Sequence, residues 1–374
     1  MESSNHSVFP KDKEDDDYVD SWYHLISDLT FKTWTFHFDL EEGALLHRLT
    51  RCTIGNKSIT EEDQSAFNVF LSKVSGFFKQ VKSECSSDSG FFLRLGSRSF
   101  KDAVFYGELS SQRFENLLYT KYLLEYNSLN FQTREDKISW VNQKNSMQDL
   151  YYFTECDIKA LKCHTLKEMF DLFFNSERIL IDLGRELKHE KPNFSLNFRL
   201  WEDRLFDHLE FRGFVYHHKL CALTQYDNRQ FFKDVYDSKE LIQKSIQEYY
   251  ETKVRPRIDT ANSPFVEGTY VIDFGIIFKN KNEVEVLVIE INRYQQTTGA
   301  SLFDWKNDID VLTGKKEFEF RIVNEHQYDN VDYDTQVYPE MNEIKKRVKA
   351  RIVNENKSFI ERWITWREDV TPLD

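Results

Sequence analysis

Three oxygen-bearing side chains interrupt two apolar stretches of the sequence: Asp273 in YVIDFGII, and Glu290 and Asn292 in VLVIEIN. The polar residues 279–282 between the stretches predict a hairpin turn, and side chains alternate between the two faces of a strand. Glu290 and Asn292 therefore share a face, and pairing about this turn sets Asp273 opposite position 289, or opposite 290 after a slip of one residue. Three such ligands at close range suit Mg²⁺, which usually shares its protein ligands with nucleotide phosphates. Taken singly, each residue has an alternative interpretation: a surface carboxylate, a partly buried Glu and a turn-forming Asn.

Cationic side chains interrupt other apolar strands and could face those phosphates. The three arginines are Arg94 in FFLRL, Arg199 in SLNFRLW and Arg212 in LEFRGFVY. Three such cases predict a shared polar cleft lined by strands. Arg98 and Lys101, in the turn after FFLRL, could reach phosphate oxygens with their long side chains. A purely structural pairing of Arg212 and Glu210 with their neighbours is the alternative.

Composition excludes several classes of protein. The 374 residues contain 50 Lys and Arg against 63 Asp and Glu, a net charge of -13, which argues against a general nucleic-acid binder. No glycine-rich phosphate loop occurs among the 12 glycines, so charged side chains would have to hold any phosphates. We expect residues 1–17 to be a disordered acidic tail, because they are polar and acidic and lack the features of a secretory signal. No apolar run in the sequence approaches the length of a membrane span. Five scattered cysteines indicate reduced thiols, and we expect a cytoplasmic protein.

The pattern of apolar residues predicts an α+β protein. Strands are predicted at 195–201, 209–216, 219–226, 269–278 and 284–292, with His217 and His218 in a hairpin turn. Helices are predicted from Thr60, over 165–179 and over 238–252. A helical stretch near the end carries a basic cluster: Lys345, Lys346, Arg347, Lys349 and Arg351. We interpret this cluster as a solvated helix face, with contact to an acidic partner or RNA as the alternative.

The ordered segments LRLGSRSFKDAVF, KCHTLKEMFDLFFNSERI, LNFRLWED, LEFRGFVYHHKLCALTQY, YVIDF, VLVIEIN and ASLFDW resemble the cell division cycle protein 123 family. The similarity extends over about residues 22–325. It implies an ATP-grasp fold, in which two interlocked α+β lobes clamp ATP and Mg²⁺ between antiparallel sheets. The chain would then divide into a tail at 1–17, an N-terminal lobe at 18–190, a C-terminal lobe with the metal ribbon at 191–325 and a helical extension at 326–374.

The resemblance also implies roles for individual residues. Asp273, Glu290 and Asn292 would be the magnesium ligands, and Arg94 would take the position of a phosphate-binding lysine. Arg199, Leu200 and Trp201 would lie along the adenine hinge, Arg212 would approach the phosphates, and Gln225 would line the same pocket. Where the family commonly shows Asp-Phe-Asn-Pro-Phe, this chain has Glu290-Ile291-Asn292-Arg293-Tyr294, which keeps the metal chemistry.

The family resemblance implies an assembly chaperone for eukaryotic translation initiation factor 2 (eIF2), acting on its gamma subunit or on another protein client. We expect such a protein to be a monomer. Two alternatives from other classes stay open: an ATP-dependent carboxylate–amine ligase that works through an acyl-phosphate, and an interaction module with a non-hydrolysing nucleotide site. The metal ligands do not separate a chaperone from a ligase, because binding ATP and consuming it need the same residues.

Overall fold

Two β-sheets form the framework of the protein. The structure, a computed structural model, describes residues 18–96, 98–260, 263–324 and 340–356. The strands are β1 (Thr33–Phe38), β2 (Phe91–Leu95), β3 (Arg98–Ser99), β4 (Phe194–Leu200), β5 (Glu210–Tyr216), β6 (Lys219–Gln225), β7 (Tyr270–Asn280), β8 (Glu283–Asn292) and β9 (Glu319–Arg321). The first sheet has the order β1-β4-β2-β3 and the second β8-β7-β5-β6-β9. All pairs are antiparallel except β6 with β9, so the predicted α+β class with antiparallel sheets is confirmed.

The chain divides into two compact units. The helices are α1 (Val19–Trp22), α2 (Leu40–Ile54), α3 (Glu61–Ser83), α4 (Glu108–Ser128), α5 (Arg134–Val141), α6 (Met147–Lys159), α7 (Leu166–Phe174), α8 (Glu177–Glu186), α9 (Lys233–Asp237), α10 (Lys239–Tyr249), α11 (Arg255–Ile258), α12 (Ile309–Leu312) and α13 (Met341–Glu355). The described part of the first unit is 18–110 with 161–324, and that of the second is 111–160 with 340–356. The first unit thus holds both sheets, whereas 111–160, assigned from sequence to the N-terminal lobe, group with α13. The predicted tail at 1–17 lies outside the described residues, as does most of the extension at 326–374.

Aromatic packing holds the first sheet against helix α3. Phe78 stacks on Phe198 of β4 with a centroid distance of 5.4 Å and meets Phe91 of β2 edge-on at 5.3 Å. Aromatic pairs in such arrangements add about 0.5–1.5 kcal/mol beyond the apolar area they bury. The helix begins at Thr60, whose side chain accepts a hydrogen bond from the Asp63 amide, as expected from sequence.

The hairpin of β7 and β8 contains a bulge that changes its register. From Phe278 to Phe274 the pairing follows the polar turn as predicted, with Phe274 opposite Val288. Ile289 is then an extra residue, and Asp273 pairs with Glu290. A β-bulge adds one residue to one strand and shifts all later pairs by one position. The bulge therefore places the two carboxyl side chains directly opposite each other, and the slip of one residue allowed from sequence is confirmed.

Arg199 joins the two sheets at this bulge. Its guanidinium is fully buried and donates to the Ile289 carbonyl oxygen at 2.7 Å and to the Thr30 and Thr33 hydroxyls at 2.7 and 3.3 Å. It also lies over the ring of Phe31 at 4.8 Å. Burial, with Arg94 nearby, lowers the pKa of Arg199 to about 9. Three protein oxygens thus occupy the guanidinium of Arg199, and the adenine-hinge role that the resemblance implies for the backbone of this segment stays a prediction.

The amphipathic stretch predicted as one helix over 165–179 is two helices. Helix α7 ends at Phe174, and Ser176 caps α8, accepting a hydrogen bond from the Ile179 amide at 3.2 Å. A serine there offers the backbone a new N-terminus, so the chain turns although the apolar pattern continues. The sequence prediction was wrong here because it followed that pattern alone.

The basic cluster predicted from sequence lies half-way along α13, in the second unit, and part of it is buried. Lys345 and Lys349 are buried, Lys345 Nζ donates to the Gln143 carbonyl oxygen at 2.8 Å, and Lys349 Nζ lies 4.5 Å from the ring centre of Trp140. A long lysine side chain can pack its methylenes and place its ammonium over an aromatic face. The interpretation of the whole cluster as a solvated face was therefore wrong for these two residues. Among the residues that the structure describes, none of the helices is long and apolar enough to cross a membrane.

We expect Arg199→Ala to destabilise the protein by about 3 kcal/mol, because it leaves three buried or partly buried acceptors without their donor and opens a cavity. Denaturant unfolding followed by circular dichroism measures this. The matched control is Arg204→Ala, since Arg204 is exposed and pairs with Glu202 and Glu285. Its expected cost is about 1 kcal/mol or less. Equal stabilities of the two variants would contradict the role assigned to Arg199.

Candidate functional site

A polar cavity of about 460 Å³ lies within the first unit, between strands of both sheets and helix α8. Small-molecule sites typically occupy about 300–1,000 Å³, so the cavity has the size of a ligand site. Of the eleven residues predicted from sequence, six line it: Arg94, Arg98, Lys101, Arg212, Glu290 and Asn292. The strands that carry Arg94 and Glu290 belong to different sheets, and the cavity is where these sheets face each other.

The three predicted metal ligands meet on one face of the β7–β8 ribbon. Asp273 is fully buried beneath the cavity and accepts a hydrogen bond from the Asn292 amide at 3.2 Å. Glu290 pairs with Arg94 across the cleft. The ribbon therefore offers two carboxylates and one amide within contact of each other, as the sequence predicted.

Arg212 holds Asp273 in a fork. Its Nε and Nη2 donate to the two carboxylate oxygens at 2.8 and 2.7 Å, and its Nη1 donates to the Gly299 carbonyl oxygen at 2.6 Å. A bidentate guanidinium–carboxylate pair fixes geometry as well as charge. The structural pairing of Arg212 with a neighbour, considered from sequence as the alternative, is thus present with Asp273 as the neighbour, and Arg212 still lines the cavity.

The charges around the ribbon set the protonation of its carboxyl groups. Burial by itself would raise the pKa of Glu290, but Arg94, Lys101 and Arg212 outweigh burial and hold that pKa well below its usual range. Burial raises the pKa of Asp273, against the effect of Arg212. Glu290 is therefore an ionised oxygen donor at neutral pH, which is what a cation requires.

Glu210 adds a third carboxyl group with different properties. Burial raises its pKa to about 7, Lys101 opposes this, and Asp273 and Glu290 contribute in the same direction as burial. Its Oε1 atom is buried without a hydrogen-bond partner in the described part of the chain. Its side chain can take up or release a proton near neutral pH.

Lys101 stands on the opposite wall of the cavity. Its ammonium lies 5.1 Å from the ring centre of Tyr226, and Tyr226, followed by Glu210 and Glu290, raises the pKa of the lysine. The Lys101 ammonium is therefore protonated at neutral pH, and it faces the carboxylates. The aromatic residue Tyr226 was missed from sequence, and its place directly after β6 is the only signal that could have indicated it.

Five predicted residues do not line this cavity. Asp273 lies beneath its wall and Arg199 joins the sheets, as described above. Gln225 is buried, and its amide donates to the carbonyl oxygens of Asp227 and Gln230 at 2.7 and 2.8 Å. Leu200 and Trp201 line a separate pocket of about 190 Å³, and their amides donate to the carbonyl oxygens of Lys32 and Gly90.

A metal at the ribbon would depend on more than protein carboxylates. No group of three or more His, Cys, Asp or Glu side chains with the arrangement of a metal site occurs in the described ranges. Asp273, Glu290 and Asn292 nevertheless fit Mg²⁺ by type, because this ion prefers oxygen ligands, needs only one or two carboxylates and completes its shell with water and phosphate.

Curated proteins with similar sequence are known from several organisms. The chain is 28% identical over 177 residues to the translation initiation factor eIF2 assembly protein of Xenopus laevis, a stretch that covers 46% of this chain and 47% of that protein. It is 26% identical over 200 residues to the protein of the same name from Dictyostelium discoideum, covering 52% of this chain and 45% of that one. The chain thus spans about half the length of the curated relatives it matches.

A solved structure shares the fold. The structure of Cdc123 from Schizosaccharomyces pombe superposes with a TM-score of 0.52 at 17% identity, covering 83% of this chain and 96% of that one. The family model described as D123 matches residues 145–349, which is more than half of the 374 residues. The resemblance to the cell division cycle protein 123 family inferred from sequence is therefore confirmed, and the chain belongs to the D123 family.

Proposed function

We propose that the cavity binds ATP together with Mg²⁺, in a fold of the ATP-grasp type, and that the chain acts in the assembly of eIF2. The observation that carries the nucleotide site is the meeting of Asp273, Glu290 and Asn292 on one ribbon face opposite Lys101 and Arg94. Hard oxygen donors on one side of a cleft and cations on the other match a metal-bound triphosphate, whose magnesium and phosphate oxygens need these two kinds of partner.

In this site Glu290 and Asn292 would hold the cation, and Asp273 keeps the Asn292 side chain in place by accepting its hydrogen bond. Asp273 already accepts hydrogen bonds from Arg212 and Asn292, but a carboxylate has about four lone-pair sites and can still contribute an oxygen. Magnesium, when bound, neutralises charge on the phosphates and orients them. The chain's own part is to keep Glu290 ionised and Asn292 in place.

Lys101, Arg94 and Arg212 supply the positive charge for the phosphates. The chain lacks a glycine-rich loop, so backbone amides do not take this role, as the sequence already indicated. Arg94 is 8% exposed and Arg212 7%, so their charges act in a partly desolvated cavity, where they attract anions more strongly than surface charges do.

The role in eIF2 assembly is supported by the relatives and by the family. The matched curated proteins are named eIF2 assembly proteins, and the family model extends over more than half of the chain. The partner is eIF2, and the subunit contacted is gamma, as the resemblance implies. In this proposal the cavity is the nucleotide-binding site of the assembly factor. Glu290 stands where an aspartate is usual in the family, and it keeps a carboxylate ligand for the metal.

Replacing Asn292 tests the metal. We expect Asn292→Ala to weaken ATP binding about tenfold when Mg²⁺ is present and to leave binding in the presence of a chelator unchanged, because only the metal-dependent contact is lost. Calorimetric titration of ATP with and without Mg²⁺ measures both constants. Asn282→Ala, at the exposed turn of the same hairpin, is the control and should match the parent. An Asn292→Ala variant that keeps the full effect of magnesium would contradict the ribbon site.

Replacing Lys101 tests the phosphate side. We expect Lys101→Met to weaken ATP binding by about ten- to a hundredfold with or without magnesium, since a charge-assisted contact is removed. The same calorimetric titrations measure it. Lys233→Met, on the surface of α9, serves as control because the Lys233 side chain is 80% exposed and pairs with Asp237 away from the cavity. Equal affinities of the two variants would show that ATP does not contact Lys101.

The assembly role predicts a stoichiometric complex with eIF2. Purified chain mixed with the separate eIF2 subunits should elute together with the gamma subunit from a sizing column. The alpha and beta subunits alone should elute apart from it. Failure to associate with any subunit or with the assembled factor would contradict the assembly role and leave the nucleotide site to be judged by calorimetry.

A further inference from the structure

Helix α8 presents a charged face to the cavity. Arg178, Asp182 and Arg185 recur at intervals of four and three residues, and all three line the cavity wall. Residues at this spacing share one side of an α-helix. The neighbouring side of α8 is packed into the protein through Ile179 and Leu183. The charged face is therefore fixed in its direction by the core and cannot turn away from the cavity.

Arg178 is the residue on this face that lacks a protein partner. Its guanidinium makes no hydrogen bond or ion pair within the described residues, although it is only partly exposed. Its pKa is lowered, first by burial and then by the neighbouring charge of Arg98, while Asp102 opposes this. Burial and a neighbouring positive charge disfavour the charged form of Arg178, and an anionic group of a bound ligand would stabilise it.

The position of Arg178 is set by Asp102. The Asp102 carboxylate accepts hydrogen bonds from the Ser176 hydroxyl at 2.7 Å and from the Arg178 amide at 3.1 Å. Asp102 directly follows Lys101, so the start of α8 is tied to the turn that carries this lysine. Arg98 is held close by through Asp182, with 2.5 Å between Arg98 Nε and the carboxylate, and Asp182 also pairs with Arg185 at 3.4 Å. The arginines thus form an ordered group.

The positive charge of the cavity extends beyond the ribbon. Seven Arg and Lys side chains line the described cavity wall, against three carboxylates. Arg94 and Arg212 each pair with one carboxylate of the ribbon and, with Lys101, face the proposed phosphates. At α8 the carboxylate of Asp182 is shared by Arg98 and Arg185, so a nucleotide at the ribbon leaves the positive charge at α8 only partly compensated.

We propose that Arg178 and Arg98, with Arg185 at the rim, form a second subsite that binds an oxyanion, a phosphate or carboxylate group of a ligand other than the nucleotide. Guanidinium groups match both kinds of oxyanion with paired hydrogen bonds. The inference goes beyond the proposed nucleotide site, and the subsite binds its anion whether or not ATP occupies the ribbon.

Two probes distinguish the sources of the oxyanion: inorganic phosphate and glutarate, a simple dicarboxylate. Each is titrated at low ionic strength into the full chain, alone and saturated with the magnesium complex of AMP-PCP, a non-hydrolysable ATP analogue, and binding is followed by ligand-observed NMR. AMP-PCP fills the position of the terminal phosphate, which ADP would leave open to the phosphate probe, and its methylene bridge prevents the release of inorganic phosphate. Low salt is needed because screening weakens such contacts.

At least one probe should bind with a dissociation constant that changes less than about threefold on adding Mg–AMP-PCP, and Arg178→Gln should weaken binding of the probe about tenfold or more. The same variant should change the affinity for Mg–AMP-PCP less than about threefold. Arg204→Gln, an exposed arginine away from the cavity, should leave both unchanged. Arg185→Gln, whose side chain is 70% exposed, gives a second variant of low risk to folding and should weaken the probe to a smaller extent.

The proposal is overturned if neither probe binds the parent protein, if Arg178→Gln and Arg185→Gln leave probe binding unchanged, or if Mg–AMP-PCP displaces the probe. The last result would assign these arginines to the nucleotide itself. A chain that binds phosphate through Arg178 but no nucleotide at all would support the subsite and contradict the proposed ATP site, so the two failures are distinguishable.

Discussion

The contact between the Arg199 guanidinium and the Ile289 carbonyl oxygen is the interaction on which the site depends. Ile289 is the extra residue of the β-bulge, and Arg199 comes from the other sheet. The same guanidinium binds Thr30, whose hydroxyl donates to the Val288 carbonyl oxygen at 2.6 Å. One buried side chain therefore fixes the bulge, the register that sets Glu290 opposite Asp273, and the distance between the two walls of the cavity. Burying such a charge is costly, and the full set of acceptors is what makes it tolerable.

Charge complementarity across the cleft follows from this arrangement. With Glu290 set opposite Asp273, the two carboxyl groups would repel each other, and Arg94 and Arg212 each neutralise one of them. The Arg94–Glu290 pair joins the two sheets, whereas Arg212 and Asp273 lie on neighbouring strands of the second sheet. A cation at the ribbon and phosphates near Lys101 would add to a network that already contains charges of both signs. An excess of positive charge at a partly desolvated cavity wall costs free energy and does not stabilise the fold. This excess therefore favours a role of the cavity in binding an anion.

The sequence was sufficient to predict the ribbon and its partners but not the environment of every cation. Period-two alternation and a polar turn are local signals, so Asp273, Glu290 and Asn292 could be brought together from spacing alone, with the bulge as the one step that spacing could not settle. Arg94 and Arg199 look alike in sequence, because each is a single charge in an apolar strand. Only the arrangement of the strands in the folded protein decides that Arg94 lines the cavity and that Arg199 joins the sheets. Arg178 was hidden because the apolar pattern of 165–179 continues through Ser176, where the chain in fact starts a new helix. Lys345 and Lys349 show the same limit, since a charged pattern does not reveal the groups elsewhere in the chain that contact its members. These groups are the Gln143 carbonyl oxygen for Lys345 and the rings of Tyr122 and Trp140 for Lys349.

The central claim is that a divalent cation and a nucleotide meet at the ribbon. Crystals of the full chain grown with Mn²⁺ and ATP would test it most directly, because manganese replaces magnesium at oxygen sites and scatters anomalously. The account predicts an anomalous peak in contact with oxygen atoms of Glu290 and Asn292, with phosphate density between that peak and Lys101. A peak at other residues, or nucleotide density that leaves the ribbon untouched, would contradict it.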